Sequence, residues 1–192
     1  LKFTRDGKFL QQLGIPGVAS DSHSMEHFGR VAKVAFDAAA NEAYVADGYK
    51  GLKIFDISDP YDPDWVATEF TPDARGVTVS GDYAFVADRT NGLVIINISN
   101  PASPDLIATQ NTNGNTYGVT VSGNYAFVAD GTNGLVIIDI SNPASPAWVA
   151  TKSTYDAWGV TVSGNYAFVA DGDKGLKIFD IVFGCTIDSL IL

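Results

Sequence analysis

One tripeptide recurs at a nearly constant interval along this chain of 192 residues. The motif ValAlaAsp ends at four aspartates, spaced 41, 42 and 41 residues apart: Asp47, Asp88, Asp130 and Asp171. A fixed period of about 40 to 45 residues is typical of stacked β-sheet blades. This period restricts the fold more strongly than any single predicted strand or helix does.

Each repeat unit contains four short apolar runs that are separated by turn residues. In the unit that begins at Gly118, the runs are GlyValThrValSer, TyrAlaPheValAla, LeuValIleIleAsp and AlaTrpValAlaThr. They are rich in β-branched and aromatic residues and too short for a typical helix. The intervening SerGlyAsn and AspGlyThrAsnGly favour hairpins, and SerAsnProAlaSerPro is incompatible with a helix or a central strand. We therefore expect four antiparallel strands per unit.

The second and third runs of each unit are apolar at almost every position rather than alternating with polar residues. A sheet that contains such strands must be covered on both faces, and identical neighbouring sheets can supply that cover. We predict an all-β fold, namely a β-propeller or an open propeller arc of four-stranded antiparallel blades. The arc would have about four blades, with partial blades at the ends.

Alignment of the units divides the chain into the parts of a single propeller fragment. The predicted parts are a partial blade at 1–14, blades at 31–71, 76–112 and 118–153, a partial blade at 159–181 and a non-repeat tail at 182–192. Because the chain opens without methionine inside a strand-like pattern, we expect it to be a fragment. Residues 30–41 are alanine-rich and could form a helix on propensity alone, but their alignment with the later units favours a β-hairpin.

The composition disfavours several kinds of partner. The chain has 12 Lys and Arg residues against 22 Asp and Glu residues, and its formal charge of −10 is spread over turns and loops. This balance disfavours a nucleic acid or an anionic membrane surface. No run of 18 apolar residues occurs, so the sequence predicts no insertion into a membrane.

Residues 134–146, GlyLeuValIleIleAspIleSerAsnProAlaSerPro, resemble the LVIVD repeat, which is named for that strand and found in bacterial and archaeal surface proteins. Similar segments at 92–104, 51–63 and 175–181 extend the resemblance over about residues 43–181. The resemblance implies a β-propeller and an extracellular or cell-surface location, for which this chain carries no signal of its own. It supplies no catalytic residues.

The first 50 residues are similar to an NHL repeat, the propeller blade of the peptidyl-hydroxyglycine amidating lyases and their bacterial relatives. The segments that carry this resemblance are PheThrArgAspGlyLysPheLeu, HisPheGlyArg and AsnGluAlaTyrValAlaAspGlyTyr. It implies an alternative function, a fragment of an NHL-type lyase or hydrolase whose metal site is completed by missing blades. Those lyases draw histidines from several blades, whereas this chain has only His23 and His27.

The four repeat aspartates and His27 are the weaker, metal-binding candidates. Carboxylates that converge on a propeller axis would suit calcium, the one ion that this pattern suggests. However, no turn shows the alternating oxygen ligands of an EF-hand loop. We therefore expect Asp47, Asp88, Asp130 and Asp171 to form turns at the strand ends, with each carboxylate accepting backbone N–H bonds.

The residue just before each inner strand varies while the sequence around it is nearly copied. It is Arg75, Tyr117 and Trp158 in successive units, and these residue types dominate interface hot spots. In a four-stranded blade, the ValAlaAsp turns and the connectors between blades share one face, and function usually lies on such loops. We predict that these three residues bind the ligand. The alternative is that they only fill the wide end of the central channel.

The sequence thus favours a non-catalytic binding module that takes a protein or a glycan on its loop face. An enzyme is less favoured, because nucleophile motifs such as GlyXaaSerXaaGly are absent. No cofactor is predicted apart from the calcium hypothesis. A purely structural repeat without a ligand is the third alternative.

Overall fold

Four antiparallel sheets follow one another along the chain. The computed structural model describes residues 30–181. Blade 1 contains β1 (Lys33–Asp37), β2 (Glu42–Ala46), β3 (Leu52–Asp56) and β4 (Asp64–Glu69). Blade 2 contains β5 (Gly76–Ser80), β6 (Tyr83–Asp88), β7 (Gly92–Asn97) and β8 (Asp105–Gln110). Blade 3 contains β9 (Gly118–Ser122), β10 (Tyr125–Ala129), β11 (Leu135–Asp139) and β12 (Ala147–Lys152). Blade 4 contains β13 (Gly159–Ser163), β14 (Tyr166–Ala170) and β15 (Leu176–Asp180), with a 3-10 turn at Gly172–Lys174.

Each blade is a meander in which every strand pairs with the next one in the sequence. The predicted four antiparallel strands are confirmed in blades 1 to 3, and blade 4 has three strands among the described residues. The third and fourth strands shift register at equivalent places in all three complete blades, between Ile54 and Phe55 in the first. The copied sequence therefore reproduces even a local irregularity of the sheet.

Residues 30–41 form a strand and a turn rather than the helix that alanine content alone would favour. The Asp37 carboxylate accepts hydrogen bonds from the backbone N–H groups of Ala39 and Ala40 at 2.9 and 3.1 Å. Asn41 then adopts a left-handed conformation with φ +56°, which asparagine tolerates better than most residues. The hairpin expected from the alignment is confirmed.

The blades stack face to face, so that their central strands are buried on both sides. In β7, Leu93 and Ile95 belong to the apolar cluster shared with blade 3, whereas Val94 and Ile96 belong to the cluster shared with blade 1. The inner strands β1, β5, β9 and β13 contact one another in that order. Stacking thus explains why these strands are apolar at successive positions.

The arc is open at blade 4 within the described part of the chain. Leu176 and Ile178 of β15 are 64% and 54% exposed, whereas Leu135 and Ile137 at the equivalent positions of β11 are 0% and 5% exposed. The difference arises because blade 4 covers the face of blade 3, and no described sheet covers the corresponding face of blade 4. The predicted all-β propeller arc is confirmed in this open form.

Several predicted features lie outside the described residues. These are the partial blade at 1–14, the tail at 182–192, and the histidines His23 and His27. Among residues 30–181, no helix has the length and the apolar character needed to cross a bilayer.

Candidate functional site

The turn after the second strand of each blade and the connector that leaves the blade lie on one face, which we call the loop face. Backbone bridges join the two segments in blades 1, 2 and 3: Gly48 with Ala74, Arg89 with Thr116, and Gly131 with Ala157. These bridges confirm that the ValAlaAsp turns and the blade connectors share a face. The connector residue of each bridge comes immediately before Arg75, Tyr117 or Trp158 in the sequence.

The four repeat aspartates are buried at the base of the loop face, with exposures of 0 to 3%. The Asp88 carboxylate accepts hydrogen bonds from the backbone N–H of Asp73 and from the Asn91 side chain. In blade 4, the Asp171 carboxylate accepts two bonds of 2.7 Å from the backbone N–H groups of Tyr155 and Asp156. The backbone donors thus lie in the connector that enters the blade. Asp88 and Asp171 accept backbone N–H bonds as expected, but the donors lie in the connector rather than in the turn at the strand end, so each carboxylate ties two segments together.

Asp130 likewise ties the entering connector to the strand end in blade 3, and here one donor in the connector is a side chain. Thr112 in the entering connector donates its hydroxyl to Asp130 Oδ1 at 2.8 Å, and Asn133 donates to Oδ2 at 2.8 Å. Burial has the largest influence on the pKa of Asp130 and raises it above the ordinary value, although hydrogen bonds from Asn133, Thr112 and Gly114 act in the opposite direction. Burial likewise raises the pKa of Asp88.

The metal hypothesis gains no support from this arrangement. Within residues 30–181, no group of three or more His, Cys, Asp or Glu side chains is placed to hold a metal ion. The carboxylates of Asp88, Asp130 and Asp171 already accept hydrogen bonds from protein donors. Asp47 also makes polar interactions, and His27 lies outside the described residues.

The predicted binding residues occupy one equivalent backbone position in successive blades. The N–H groups of Arg75, Tyr117 and Trp158 donate to the carbonyls of Ala87, Ala129 and Ala170 at 2.8 to 2.9 Å. The same bond joins Ala32 to Ala46 in blade 1. Ala32 is therefore a fourth member of the series, which sequence reasoning missed. Alignment from the ValAlaAsp motif of blade 1 backwards would have found it.

Tyr117 and Trp158 are brought into direct contact. Their rings are stacked, with centroids 4.7 Å apart and planes 10° from parallel. The indole Nε1 of Trp158 donates a 2.9 Å hydrogen bond to Asp156 Oδ2. A Cβ atom at Gly131 would lie 3.3 Å from Cε2 of Tyr117, so the small turn residue leaves room for the tyrosine ring.

Arg75 has a different environment. It forms an ion pair with Asp73 and makes no ring contact within residues 30–181. Its Nε and Nη2 atoms lie 2.7 and 2.8 Å from the two carboxylate oxygens of Asp73, and Nη1 of Arg89 lies 3.3 Å from Oδ2. Burial acts to raise the pKa of Asp73, but hydrogen bonds and charges from Arg75 and Arg89 outweigh it and hold that pKa below the ordinary value. The three predicted residues thus form a stacked aromatic pair and a separate fork-shaped ion pair.

Three further loop-face residues were missed from the sequence. Asp73 and Asp156 stand two positions before Arg75 and Trp158 and fix their side chains. This repeated spacing is a signal that the sequence does contain. Arg89 has φ +29°, in the turn position that the other blades fill with Gly48, Gly131 and Gly172 at φ +48° to +54°. Such a backbone conformation is strained for arginine.

Comparison with known proteins identifies the repeat and the fold. A family model described as "LVIVD repeat" matches residues 40–68, 72–112, 113–154 and 155–182. No curated protein matches the chain in sequence. The crystal structure of the computationally designed Ika4 protein is similar with a TM-score of 0.65 at 10% identity, covering 89% of this chain and 98% of Ika4. The computationally designed Ika8 protein gives a TM-score of 0.63 at 11% identity, covering 77% of this chain and 45% of Ika8. At these identities the likeness concerns the fold alone.

Proposed function

Because this chain belongs to the LVIVD-repeat family, and because its loop face carries a fixed aromatic pair, we propose that it is a non-catalytic binding module. The ligand, a protein or a glycan, is held on the loop face by Tyr117 and Trp158, with Arg75 at the equivalent position of blade 2 as the third binding residue. The module acts outside the cell or at the cell surface, as the resemblance to LVIVD-repeat surface proteins implies.

The stacked pair of Tyr117 and Trp158 is the observation that carries this proposal. Two aromatic rings from successive blades are fixed before any ligand arrives, one by stacking and the other also by its bond to Asp156. Preorganised aromatic side chains bind with a small loss of conformational entropy. A rigid sheet scaffold that presents variable loop residues is well suited to this task.

The exposure of Trp158 favours binding over mere filling of the channel. Trp158 is 53% exposed in blade 4, whose outer face no described sheet covers, although its edge is hydrogen-bonded and one ring face is stacked. A side chain that only fills a channel gains its stability from burial. In the described arc, Trp158 instead keeps accessible surface that a ligand can contact.

The test compares ligand capture by matched variants on arrays of immobilised proteins and glycans. The double variant Tyr117→Ala/Trp158→Ala should lose at least tenfold in affinity, because hot-spot truncations cost about 2 kcal/mol or more. Trp148→Ala is the control, since Trp148 is 37% exposed on β12, away from the loop face. Equal losses in both variants, or undiminished capture by the double variant, would contradict the proposal. Thermal unfolding of each variant checks that the fold persists.

The alternative, a fragment of an NHL-type lyase or hydrolase, rests on residues 1–50, of which 1–29 lie outside the described part. Metal analysis of the purified protein separates the two functions. Stoichiometric zinc or calcium that disappears in His27→Ala or Asp47→Asn would support the enzyme. Metal-independent ligand capture that requires Trp158 would support the binding module.

A further inference from the structure

Arg89 occupies a turn position at which the other three blades have glycine. Its φ of +29° lies outside the regions that L side chains prefer, whereas Gly48, Gly131 and Gly172 adopt φ +48° to +54° without a steric cost. Residues held in such strained conformations cluster at active sites and ligand-binding sites. The arginine at position 89 therefore requires a reason other than the stability of the turn.

The guanidinium groups of Arg89 and Arg75 share one carboxylate. Oδ2 of Asp73 accepts a hydrogen bond from Nη2 of Arg75 at 2.8 Å and lies 3.3 Å from Nη1 of Arg89. Asp73 is the one acceptor that residues 30–181 offer to the Arg89 side chain, which is 44% exposed. Because an arginine has five N–H donors in a fixed fork, this pair retains donors for a second carboxylate.

Two exposed aromatic side chains lie in the same sector of the loop face as the arginine pair. Tyr49 is 60% exposed in the ValAlaAsp turn of blade 1, and Phe70 is 65% exposed in the connector between blades 1 and 2. These segments are packed together, because a Cβ at Gly51 would lie 2.9 Å from Cα of Phe70. The connector continues to Asp73, whose backbone N–H is bonded to the turn that contains Arg89. Adjoining segments therefore present the aromatic and the guanidinium groups.

The exposure of Tyr49 and Phe70 does not depend on where the arc ends. The equivalent positions are exposed in every other described turn and connector: Thr90, Thr132 and Asp173 in the turns, Asn111 and Ser153 in the connectors. All of those residues are polar. Aromatic residues thus replace polar ones at two positions that every blade leaves open to solvent, in a repeat that is otherwise nearly copied.

Positive charge is restricted to the loop-face end of the blades. Every Lys and Arg of residues 30–181 lies in the loop-face turns and connectors, or at most two residues into the strands that adjoin them. The turns at the opposite end contain none of them and carry Asp59, Asp62 and Asp82 instead. An acidic ligand therefore finds its cationic partners on the loop face alone, although the formal charge of the chain is −10.

These observations favour a ligand that combines a carboxylate with an apolar side chain. We propose that the loop face of blades 1 and 2 binds an acidic peptide segment of another protein, with one Asp or Glu carboxylate seated on Arg75 and Arg89. A neighbouring apolar side chain of the peptide packs on Tyr49 and Phe70. Arginine clusters recognise acidic motifs, and exposed aromatic residues beside them supply apolar contact area. The inference rests on the binding function proposed above, shares Arg75 with it and names its ligand.

The probe is an array of short peptides in which Asp or Glu is combined with Leu and Phe at varied spacings. A second array has Asn and Gln in place of the acids, and polygalacturonate represents an acidic glycan. The best acidic peptide is then titrated against the unaltered chain by fluorescence anisotropy at low and high salt. Its affinity should fall as the salt concentration rises, because the arginine pair is partly exposed.

Arg89→Gly separates binding from stability. It should raise the melting temperature, because the strain at position 89 is relieved, and yet weaken the best acidic peptide about tenfold or more, because an arginine contact is lost. Lys174→Asn is the matched control. It removes the same charge from the loop face of blade 4 and introduces the residue type of Asn91 and Asn133 at the equivalent position. This control should change the affinity much less, since Lys174 lies two blades away.

The aromatic contacts are tested with residues that the repeat itself uses. Tyr49→Thr and Phe70→Asn introduce the residue types of Thr90 and Asn111, the equivalent positions of blade 2. The double variant should therefore fold like the unaltered chain, which thermal unfolding checks. It should weaken the acidic peptide about tenfold or more.

The possible results separate the inference from the proposed function. Acidic-peptide binding that is weakened by Arg89→Gly, with an unchanged or raised melting temperature, supports the inference; if such binding does not need Trp158, it also contradicts the role assigned to the stacked pair. Equal losses in Arg89→Gly and Lys174→Asn overturn the inference, as does a preference for the amide peptides or polygalacturonate. Ligand capture that requires Trp158 but is unaffected by Arg89→Gly overturns the inference and leaves the proposed function standing. The absence of any binding that depends on Trp158 or Arg89 overturns both.

Discussion

Thr112 donates its hydroxyl to the buried Asp130 carboxylate at 2.8 Å, which ties the connector from blade 2 to the second strand of blade 3. The adjoining Gly114 fits this arrangement closely, because a Cβ atom there would lie 2.7 Å from Cγ of Asp130. Connector and aspartate are therefore one packed unit. The repeat aspartates stabilise the loop face on which the proposed site lies.

The burial of the Asp130 carboxyl predicts that the free energy of unfolding depends on pH. Burial raises the pKa of Asp130 above its ordinary value of 3.8. At pH values between 3.8 and this raised pKa, the Asp130 carboxyl therefore keeps its proton in the folded chain but has lost it in the unfolded chain. The contribution of Asp130 to the free energy of unfolding should therefore increase as the pH falls through that interval. Urea unfolding of the wild type and of Asp130→Asn at several pH values measures this contribution as a difference.

Asp73 provides a control with the opposite sign. Its pKa is held below 3.8, so its stabilising contribution is present above that pH and is lost as the pH falls below it. The difference in the free energy of unfolding between wild type and Asp73→Asn should shrink on acidification. The corresponding difference between wild type and Asp130→Asn should grow in favour of the wild type. If these two differences changed with pH in the same direction, the opposite pKa shifts of Asp73 and Asp130 would be contradicted.

Equivalent leucines in blades 3 and 4 should respond differently to truncation. Leu135 is fully buried and Leu176 is 64% exposed, although both begin the third strand of their blade. Leu135→Ala should destabilise the protein by about 2 to 5 kcal/mol through lost burial and a cavity, and Leu176→Ala by less than about 1 kcal/mol. Chemical denaturation measures both values. Similar large losses would show that the outer face of blade 4 is covered in solution.

The glycines that begin the inner strands offer a second matched pair. A Cβ at Gly76 would lie 2.8 Å from the Tyr117 carbonyl, whereas one at Gly159 would meet no atom of residues 30–181 within 4 Å. Gly76→Ala should therefore lower the melting temperature by several degrees, because close-packed backbones must move apart. Gly159→Ala should leave the melting temperature unchanged or raise it slightly, since neither glycine has a positive φ. A larger loss in Gly159→Ala than in Gly76→Ala would contradict the blade packing described above.

Arg89→Gly should make the protein more stable. The backbone at residue 89 has φ +29°, and glycine adopts this region without the steric cost that arginine bears. The 3.3 Å pair with Asp73 is partly exposed and contributes little. We expect a gain of roughly 0.5 to 1 kcal/mol in the free energy of unfolding. A loss would show that the Arg89 side chain stabilises the loop face more than its strain costs.

The architecture could be predicted because its signals are local and repeated. Apolar runs such as Tyr125–Ala129 fit a strand and are too short for a helix, and the turn residues between them define the hairpins. Four copies of the same pattern then supply the neighbours that bury each sheet. The position of Arg75, Tyr117 and Trp158 before an inner strand was correctly predicted for the same reason.

The details of the site could not be predicted from these patterns. Asp88 and Asp171 look like ordinary turn residues in the sequence, but their backbone donors lie in connectors 15 or 16 residues earlier. Arg75 looks equivalent to the two aromatic residues, yet it pairs with Asp73. Each contact depends on side-chain directions that are fixed only when the segments are packed together.

The sequence by itself thus determined the strands, the turns and the repeating blade, because hydrophobic periodicity and turn chemistry act over a few residues. Only the tertiary structure decided that Tyr117 and Trp158 stack, and that Leu176 is exposed while Leu135 is buried. Those outcomes depend on which blade lies beside which and at what spacing. Residues in successive blades meet through packing between sheets, which no local pattern specifies.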